Sequence, residues 1–222
     1  IKPKEYWFQI FDENNNFSLD LKEYENCLKV SKNVDYVLNM ACNMGGMGFI
    51  ENNKAECMLS VLINTNLLRA CLINNVKKYF FSSSACVYNG SKQNQTFISG
   101  LKESDAYPAD PEDGYGWEKL FSERMCRHFN EDFGIDTRVV RYHNIYGPRM
   151  GFLHVIPEML LKISTKKIVE VASPNHTRSM CYIDDAVQMT IKACESNLSE
   201  KEILNIGNQN EEISILKLVQ LI

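Results

Sequence analysis

Two short apolar segments, VDYVLNMA at residues 34–41 and KYFFSS at residues 78–83, decide the fold of this chain of 222 residues. Both are rich in β-branched and aromatic residues, which predicts buried strands. Between them, apolar residues recur at helical spacing, at Met58, Val61, Leu62, Thr65, Leu68 and Leu72. A strand, a helix and a second strand in this order predict parallel strands in one sheet.

The alternation of strands and helices continues along the chain. An amphipathic pattern over residues 111–133 predicts a long helix that ends near Gly134. Further strands are predicted at residues 137–142, 168–171, 179–183 and 204–206, and further helices at residues 20–30, at residues 157–163 and after Asp184 as N-cap. Right-handed crossovers then give an α/β fold, a doubly wound parallel sheet with a small C-terminal lobe. We place the main domain in residues 1–148 and the lobe, with segments that return to the sheet, in residues 149–222.

Composition and charge narrow the class of protein. The chain is 45% hydrophobic and 23% charged, as in ordinary globular domains, and its net charge of −4 disfavours a nucleic-acid partner. Its eight cysteines form no CxxC pair, so we predict no metal site, and such scattered thiols are typical of a cytoplasmic protein. We find no apolar stretch long enough to span a bilayer and no signal peptide, and therefore expect no membrane partner.

Polar and glycine-containing segments follow the ends of the predicted strands. They lie at residues 43–46, 83–86 and 144–148. Because ligands of open α/β sheets bind beyond the carboxyl ends of the strands, we expect the functional site there.

The pentapeptide Tyr115-Gly116-Trp117-Glu118-Lys119 places a phenol and an ammonium on one helix face, since positions i and i+4 are neighbours. An ammonium favours phenolate and so lowers the pKa of a tyrosine, which suits Tyr115 to proton transfer with a sugar hydroxyl. Taken alone, the same spacing also fits an exposed helix with an incidental Tyr and Lys.

Ser84 and Cys86 follow the second strand. Ser84 can hydrogen-bond a substrate oxygen, and Cys86 can act as acid or base if its pKa falls. The alternatives are that Ser84 caps the strand end and that Cys86 is packed and inert. Together with Tyr115 and Lys119, Ser84 completes a predicted Ser-Tyr-Lys site.

These motifs resemble the extended short-chain dehydrogenase/reductase family of NAD-dependent epimerases and dehydratases, which act on nucleotide sugars. The shared segments are SSACVY at 83–88, the Tyr-Gly-x-Glu-Lys motif at 115–119 and HNIYGP at 143–148. Within this family, the GDP-mannose 3,5-epimerase branch is the most similar, through ENCLKV at 25–30, NMGGMGF at 43–49, LKESDA at 101–106 and TRS at 177–179.

The resemblance implies a Rossmann-like, NAD-binding main domain and a nucleotide-sugar epimerase that works by transient oxidation at C4, proton exchange next to the keto group and re-reduction. Ser84, Tyr115 and Lys119 would form the hydride-transfer machinery, with Tyr115 as the base for the C4 hydroxyl and Lys119 also on the nicotinamide ribose. Asp20 and Ala41 would lie on the cofactor side, Asp20 near the adenine.

The substrate would contact Ser84 and four further residues, Gly45, Gly46, Asn144 and Arg178. The two glycines would allow close approach of backbone to the sugar, or form a plain tight turn. The Arg178 guanidinium would pair with the diphosphate or the sugar, or make a surface salt bridge. The family also implies a GDP-sugar in preference to a UDP-sugar, and a homodimer through the helices after Ala55 and Pro111.

The chain departs from the family in three places. The family's N-terminal strand, GxxGxxG loop and helix are expected before Ile1, and part of the lobe is expected after Ile222, so we expect this sequence to be incomplete. The epimerase branch has a lysine soon after its Gly-Pro turn. Here HVIP stands at residues 154–157, as in GDP-fucose synthases, whose histidine is the acid. We therefore predict His154 and Cys86 as the two acid/base groups, although His154 also fits a half-buried histidine packed beside Phe152 and Leu153.

Three functions remain open at this point. The first is the NAD-dependent epimerase, favoured by NMGGMGF. The second is an epimerase-reductase of 4-keto-6-deoxy sugar nucleotides, which consumes NADPH and is favoured by His154. The third is a truncated, non-catalytic relative that only binds sugar nucleotides.

Overall fold

The computed structural model describes residues 16–93, 100–166, 168–171, 173–196, 203–210 and 212–222. The helices are α1 (Tyr24–Val30), α2 (Met47–Asn52), α3 (Lys54–Met58), α4 (Ser60–Ile73), α5 (Asp113–Phe133), α6 (Val155–Thr165), α7 (Ile183–Glu195) and α8 (Ile215–Leu221). The strands are β1 (Tyr36–Asn39), β2 (Lys78–Ser84), β3 (Asp136–Tyr142), β4 (Asn144–Tyr146), β5 (Thr177–Tyr182), β6 (Ile203–Ile206) and β7 (Glu212–Ser214).

The main sheet is parallel and has the strand order β1-β2-β3-β6, so the predicted α/β fold with a doubly wound parallel sheet is confirmed. Tyr79 and Phe81 of β2 pack on one face with α1, α4 and α5. Phe80, between them, packs on the other face with α7. Successive side chains of a strand point to opposite faces, so β2 contributes to both hydrophobic layers.

A second sheet of three strands, β4-β5-β7, pairs β4 parallel to β5 and β5 antiparallel to β7. Neither β4 nor β7 is predicted from the sequence, because three residues are too few for a period to show. β6 lies in the main sheet although it follows α6, β5 and α7 in the chain. The boundary near residue 148 stays a prediction.

Three local predictions are wrong. Residues 168–171 form no strand, and Ile168 is 83% exposed. Asp184 lies inside the first turn of α7, whose N-cap is Tyr182. The strand at 34–41 is shorter, since β1 covers Tyr36–Asn39 alone. Val37 and Asn39 face α1 and α4, whereas Tyr36 and Leu38, which point to the opposite face, are exposed.

One helical run, Lys54–Ile73, is long and apolar enough to cross a membrane by length and composition alone, so the expectation of no such stretch is wrong. In this structure the run packs on the sheet with its polar groups satisfied. Asn64 is buried and accepts a hydrogen bond of 2.7 Å from the Tyr79 hydroxyl. Ser60 and Asn64 are two buried polar residues among many apolar ones, so the overall composition of the run stays apolar.

Candidate active site

The first turn of α5 lies directly against the chain that follows β2. A Cβ atom on Gly116 would lie 2.4 Å from the carbonyl oxygen of Cys86, so only glycine permits this approach. The Glu112 amide donates to the same carbonyl, at 2.9 Å. These contacts bring Tyr115 beside the residues at the carboxyl end of β2.

Tyr115 is 5% exposed, and its side chain lies close enough to Ser84 for the serine to lower the pKa of the phenol. The Ser84 hydroxyl also accepts from the Cys86 amide at 3.2 Å and thereby caps the short 3₁₀ turn at Ala85–Val87. Ser84 therefore acts as a cap, one of its two predicted roles, and its contact with a substrate oxygen stays a prediction.

Lys119 lies one turn further along α5 and is 1% exposed. Its ammonium donates to the carbonyl oxygen of Ser82 at 2.9 Å and lies 5.6 Å from the centre of the Tyr115 ring. The structure thus brings together Ser84, Tyr115 and Lys119 at the carboxyl end of β2. Their catalytic roles stay predictions.

Burial raises the pKa of Tyr115 well above its usual range, and the nearby Cys42 and Cys86 thiols raise it further. The neighbouring Ser84 side chain acts in the opposite direction. The pKa of Tyr115 is therefore not lowered, although the sequence predicted this from Lys119. Removing a phenolate from water costs more free energy than the favourable interactions with neighbouring groups supply.

Cys86 is half-buried, and burial raises the pKa of its thiol to about 11. The Ser84 hydrogen bond and the Arg178 charge lower this pKa, whereas Glu112 raises it. The expected fall of the Cys86 pKa is thus not found. At neutral pH Cys86 is a thiol, which is a proton donor.

The Gly45–Gly46 turn touches the segment that carries His154. A Cβ atom on Gly46 would lie 1.8 Å from the carbonyl oxygen of Leu153, so contact within the chain already requires glycine there. At Gly45 an added Cβ would meet the Phe49 side chain at 2.8 Å. His154 is half-buried, at the N-cap of α6. The structure thus places His154 beside the predicted sugar-binding turn.

Asn144 and Arg178 come from the second sheet. The Asn144 amide donates to the carbonyl oxygen of Ser179 at 3.3 Å and so links β4 to β5. Arg178 is exposed, and one of its guanidinium nitrogens donates to the Thr177 carbonyl at 2.8 Å. Its charge lowers the pKa of the Cys86 thiol.

Ala41 lines a groove at the end of β1, and Asp20 precedes Leu21, which lines the same groove. The groove is lined by Leu21, Val30, Ser31, Val37, Leu38, Asn39, Met40, Ala41 and Leu67. The Asp20 carboxylate accepts from the Lys22 amide at 2.9 Å and is exposed beside Leu21. A groove at the carboxyl end of a parallel strand is where a dinucleotide fits in such sheets.

The sequence did not assign a role to four further side chains around the site, the half-buried Cys42 and the buried Glu118, Glu123 and Arg141. The Cys42 thiol is within hydrogen-bonding reach of Tyr115 and Lys119. Glu118 is 2% exposed and contacts Lys119. Beneath them, Arg141 and Glu123 form a buried, bidentate ion pair, with bonds of 2.9 and 2.8 Å. The sequence contained a signal for Glu118 alone, namely its position next to Lys119 in the chain. The other side chains meet their partners only through tertiary packing, which no local motif indicates.

Comparison with known proteins gives consistent matches. The model of the NAD dependent epimerase/dehydratase family matches residues 4–207. GDP-mannose 3,5-epimerase of Arabidopsis thaliana is 40% identical over 211 residues, covering 92% of this chain and 55% of that protein. GDP-L-fucose synthase of Escherichia coli is 26% identical over 176 residues, covering 74% of this chain and 54% of that protein. The chain therefore spans about half the length of these relatives.

Among solved structures, UDP-glucose 4-epimerase of Thermotoga maritima, determined with UDP-glucose, superposes with a TM-score of 0.79. The superposition covers 92% of this chain and 66% of that one. At 22% identity this similarity shows the shared fold alone.

Proposed function

The chain belongs to the NAD-dependent epimerase/dehydratase family, and on this premise we propose that the whole protein is an NAD-dependent epimerase of nucleotide sugars, acting on GDP-mannose. The observation that carries the proposal is the convergence of Ser84, Tyr115 and Lys119 at the carboxyl end of β2. The similarity to GDP-mannose 3,5-epimerase supports the choice of sugar.

In this proposal Tyr115 accepts the proton of the C4 hydroxyl, and Ser84 orients that hydroxyl by hydrogen bonding. Bound NAD supplies a transient acceptor for the C4 hydride. The buried Lys119 ammonium lies beside Tyr115, 5.6 Å from the centre of its ring. Its charge favours the phenolate that the reaction requires, against the effect of burial on the Tyr115 pKa.

Cys86 and His154 are the proposed acid/base pair. A keto group at C4 acidifies the neighbouring C–H bonds, and inversion requires a proton to leave one face and another to arrive at the opposite face. Cys86 carries a proton at neutral pH and can deliver it. His154, beside the Gly45–Gly46 turn, is the group proposed to remove one, since histidine is the most frequent general base.

We also propose how the ligands lie. NAD would occupy the groove at the end of β1, where Ala41 would line the cofactor site and Asp20 would lie near the adenine. The sugar nucleotide lies over Gly45 and Gly46, with Asn144 and Arg178 at its polar groups. The Arg178 guanidinium suits a diphosphate, because its fork matches two phosphate oxygens. A GDP-sugar is preferred over a UDP-sugar on the basis of the 40% identical relative.

A second candidate is a GDP-4-keto-6-deoxy-sugar epimerase-reductase. It is favoured by one specific observation, the HVIP segment at residues 154–157, which begins α6 beside the sugar-binding turn. The similarity to GDP-L-fucose synthase supports it as well. This enzyme would consume NADPH, whereas the epimerase would return the hydride and need no net reductant.

The decisive experiment incubates the whole protein with GDP-mannose in deuterated water, with UDP-mannose as the matched nucleotide control. We expect deuterium at C3 and C5 of the GDP-sugar, measured by NMR, without added reductant. Uptake into the UDP-sugar alone would contradict the GDP preference.

Net NADPH oxidation with a 4-keto-6-deoxy sugar nucleotide, and no exchange into GDP-mannose, would establish the second candidate. Binding of sugar nucleotides without exchange or reduction would leave the non-catalytic alternative and overturn both enzymatic proposals.

We further propose a cytoplasmic homodimer. All eight cysteines are free thiols, as expected in a reducing compartment. The outer faces of α4 and α5 carry large exposed apolar side chains, at Leu62, Trp117 and Phe121, which suit a helix-to-helix interface. Measurement of the molar mass by light scattering tests the dimer.

A further inference from the structure

Glu118 is a buried acidic side chain at the candidate site. It is 2% exposed, and its Oε1 atom accepts a hydrogen bond of 3.1 Å from the Ser122 hydroxyl. Its Oε2 atom is buried and has no hydrogen-bond partner among the described residues. A buried carboxylate oxygen without a hydrogen bond is costly unless an opposite charge compensates it.

The compensating charge is the Lys119 ammonium, 3.7 Å from Oε2. Both side chains of this pair are 1% exposed, so little water screens their attraction. The same ammonium donates to the Ser82 carbonyl at 2.9 Å and lies 4.7 Å from the centre of the Phe81 ring. Lys119 is thus held between α5 and β2.

We propose that Glu118 is a positioning residue for the Tyr115–Lys119 pair: its buried carboxylate neutralises the Lys119 ammonium and fixes it against β2, within reach of the Tyr115 ring. This inference rests on the proposed function, in which Lys119 and Tyr115 act together. It assigns a role to the fourth residue of the Tyr-Gly-x-Glu-Lys motif.

The charge of Glu118 acts on three ionisable groups around it. Burial raises the pKa of Glu118, and Lys119 and the Ser122 hydroxyl lower it. In turn Glu118 raises the pKa of Tyr115, of the Cys42 thiol after β1 and of the Cys57 thiol in α3, in each case after burial as the largest cause. Removing the Glu118 charge should therefore favour the Tyr115 phenolate.

The first test measures the Glu118–Lys119 contact without any substrate. Infrared difference spectra of the whole protein, wild type minus Glu118→Gln, follow the protonated carboxyl as the pH falls. We expect Lys119→Met to move this titration upward by about one pH unit or more, since the ammonium that favours the carboxylate is gone. An unchanged titration would overturn the proposal, whatever the protein catalyses.

The second test is the pH profile of deuterium exchange into GDP-mannose. In Glu118→Gln the acid limb should move to lower pH by about one unit, because Tyr115 loses a nearby negative charge. Ser122→Ala is the matched control, since it loses the hydrogen bond to Glu118 but keeps the charge, and its limb should stay in place. A simple packing role would change the rates of both variants without moving either limb, and would overturn the proposal.

Glu118→Asp covers the case in which Glu118→Gln fails to fold. It keeps the charge but withdraws it by one methylene, so we expect a shift in the same direction and smaller. The proposed function and the role of Glu118 can fail separately. If deuterium enters no nucleotide sugar, the proposed function is wrong and the infrared result still stands. If deuterium exchange occurs but the acid limb does not move in Glu118→Gln, the role of Glu118 alone is wrong.

Discussion

The two halves of the candidate site differ in how firmly the fold holds them. The strand–helix half, Ser84, Cys86, Tyr115 and Lys119, is buried or half-buried, and contacts between α5 and the end of β2 fix it. The lobe half, Asn144, His154 and Arg178, comes from β4, α6 and β5 and is half-buried or exposed. Chemistry common to many sugars needs a rigid arrangement, whereas selection of one sugar can rest on groups that adjust to the ligand.

The largest expected effect is that of Tyr115→Phe, in the strand–helix half. Phenylalanine keeps the buried ring but cannot accept the C4 proton, so exchange should fall by about 10² to 10⁴-fold. Binding of GDP-mannose, measured by calorimetry, should change little. Near-normal exchange in this variant would break the assignment of chemistry to the strand–helix half.

A smaller effect is expected from Gly116→Ala, which tests whether packing fixes that half. The added Cβ would lie 2.4 Å from the Cys86 carbonyl oxygen, and such overpacking costs about 1 to 3 kcal/mol of unfolding free energy. Urea unfolding measures this loss, and exchange should fall as well, because α5 must shift.

Gly48→Ala is the matched control, in α2, where an added Cβ meets nothing within 4 Å. Here we expect unchanged or higher stability, since alanine favours a helix over glycine by about 1 kcal/mol. Equal losses in the two variants would show that the close contact at Gly116 is not what holds the strand–helix half.

The smallest effect is expected in the lobe half, from Arg178→Lys. Lysine keeps the charge but loses the two-pronged contact with phosphate, so affinity for GDP-mannose should fall about tenfold, or 1.4 kcal/mol. Stability should not change, because Arg178 is exposed. Arg127→Lys, at an exposed i,i+4 pair with Glu131 on α5, is the control and should bind normally. Unchanged affinity in Arg178→Lys would remove this residue from the substrate site.

Much of the strand–helix half was predictable because it depends on short-range pattern. The i,i+4 spacing of Tyr115 and Lys119 fixes their common helix face, and the apolar run of β2 fixes where Ser84 emerges. The comparisons confirm the family that these motifs indicated. The pKa directions at Tyr115 and Cys86 were not predictable, because they depend on burial from water, which no local motif records.

The sequence by itself determined the parallel α/β fold, the family and the helix face that carries Tyr115 and Lys119, since periodicity and motif spacing are local properties of the chain. Only the tertiary structure decided which distant groups meet. It pairs Arg141 of β3 with Glu123 of α5, brings Cys42 to Tyr115, and seats the Gly46 turn on the Leu153 carbonyl. Such contacts join residues that are far apart in the chain, and their strength comes from the exclusion of water, which exists only once the elements have packed.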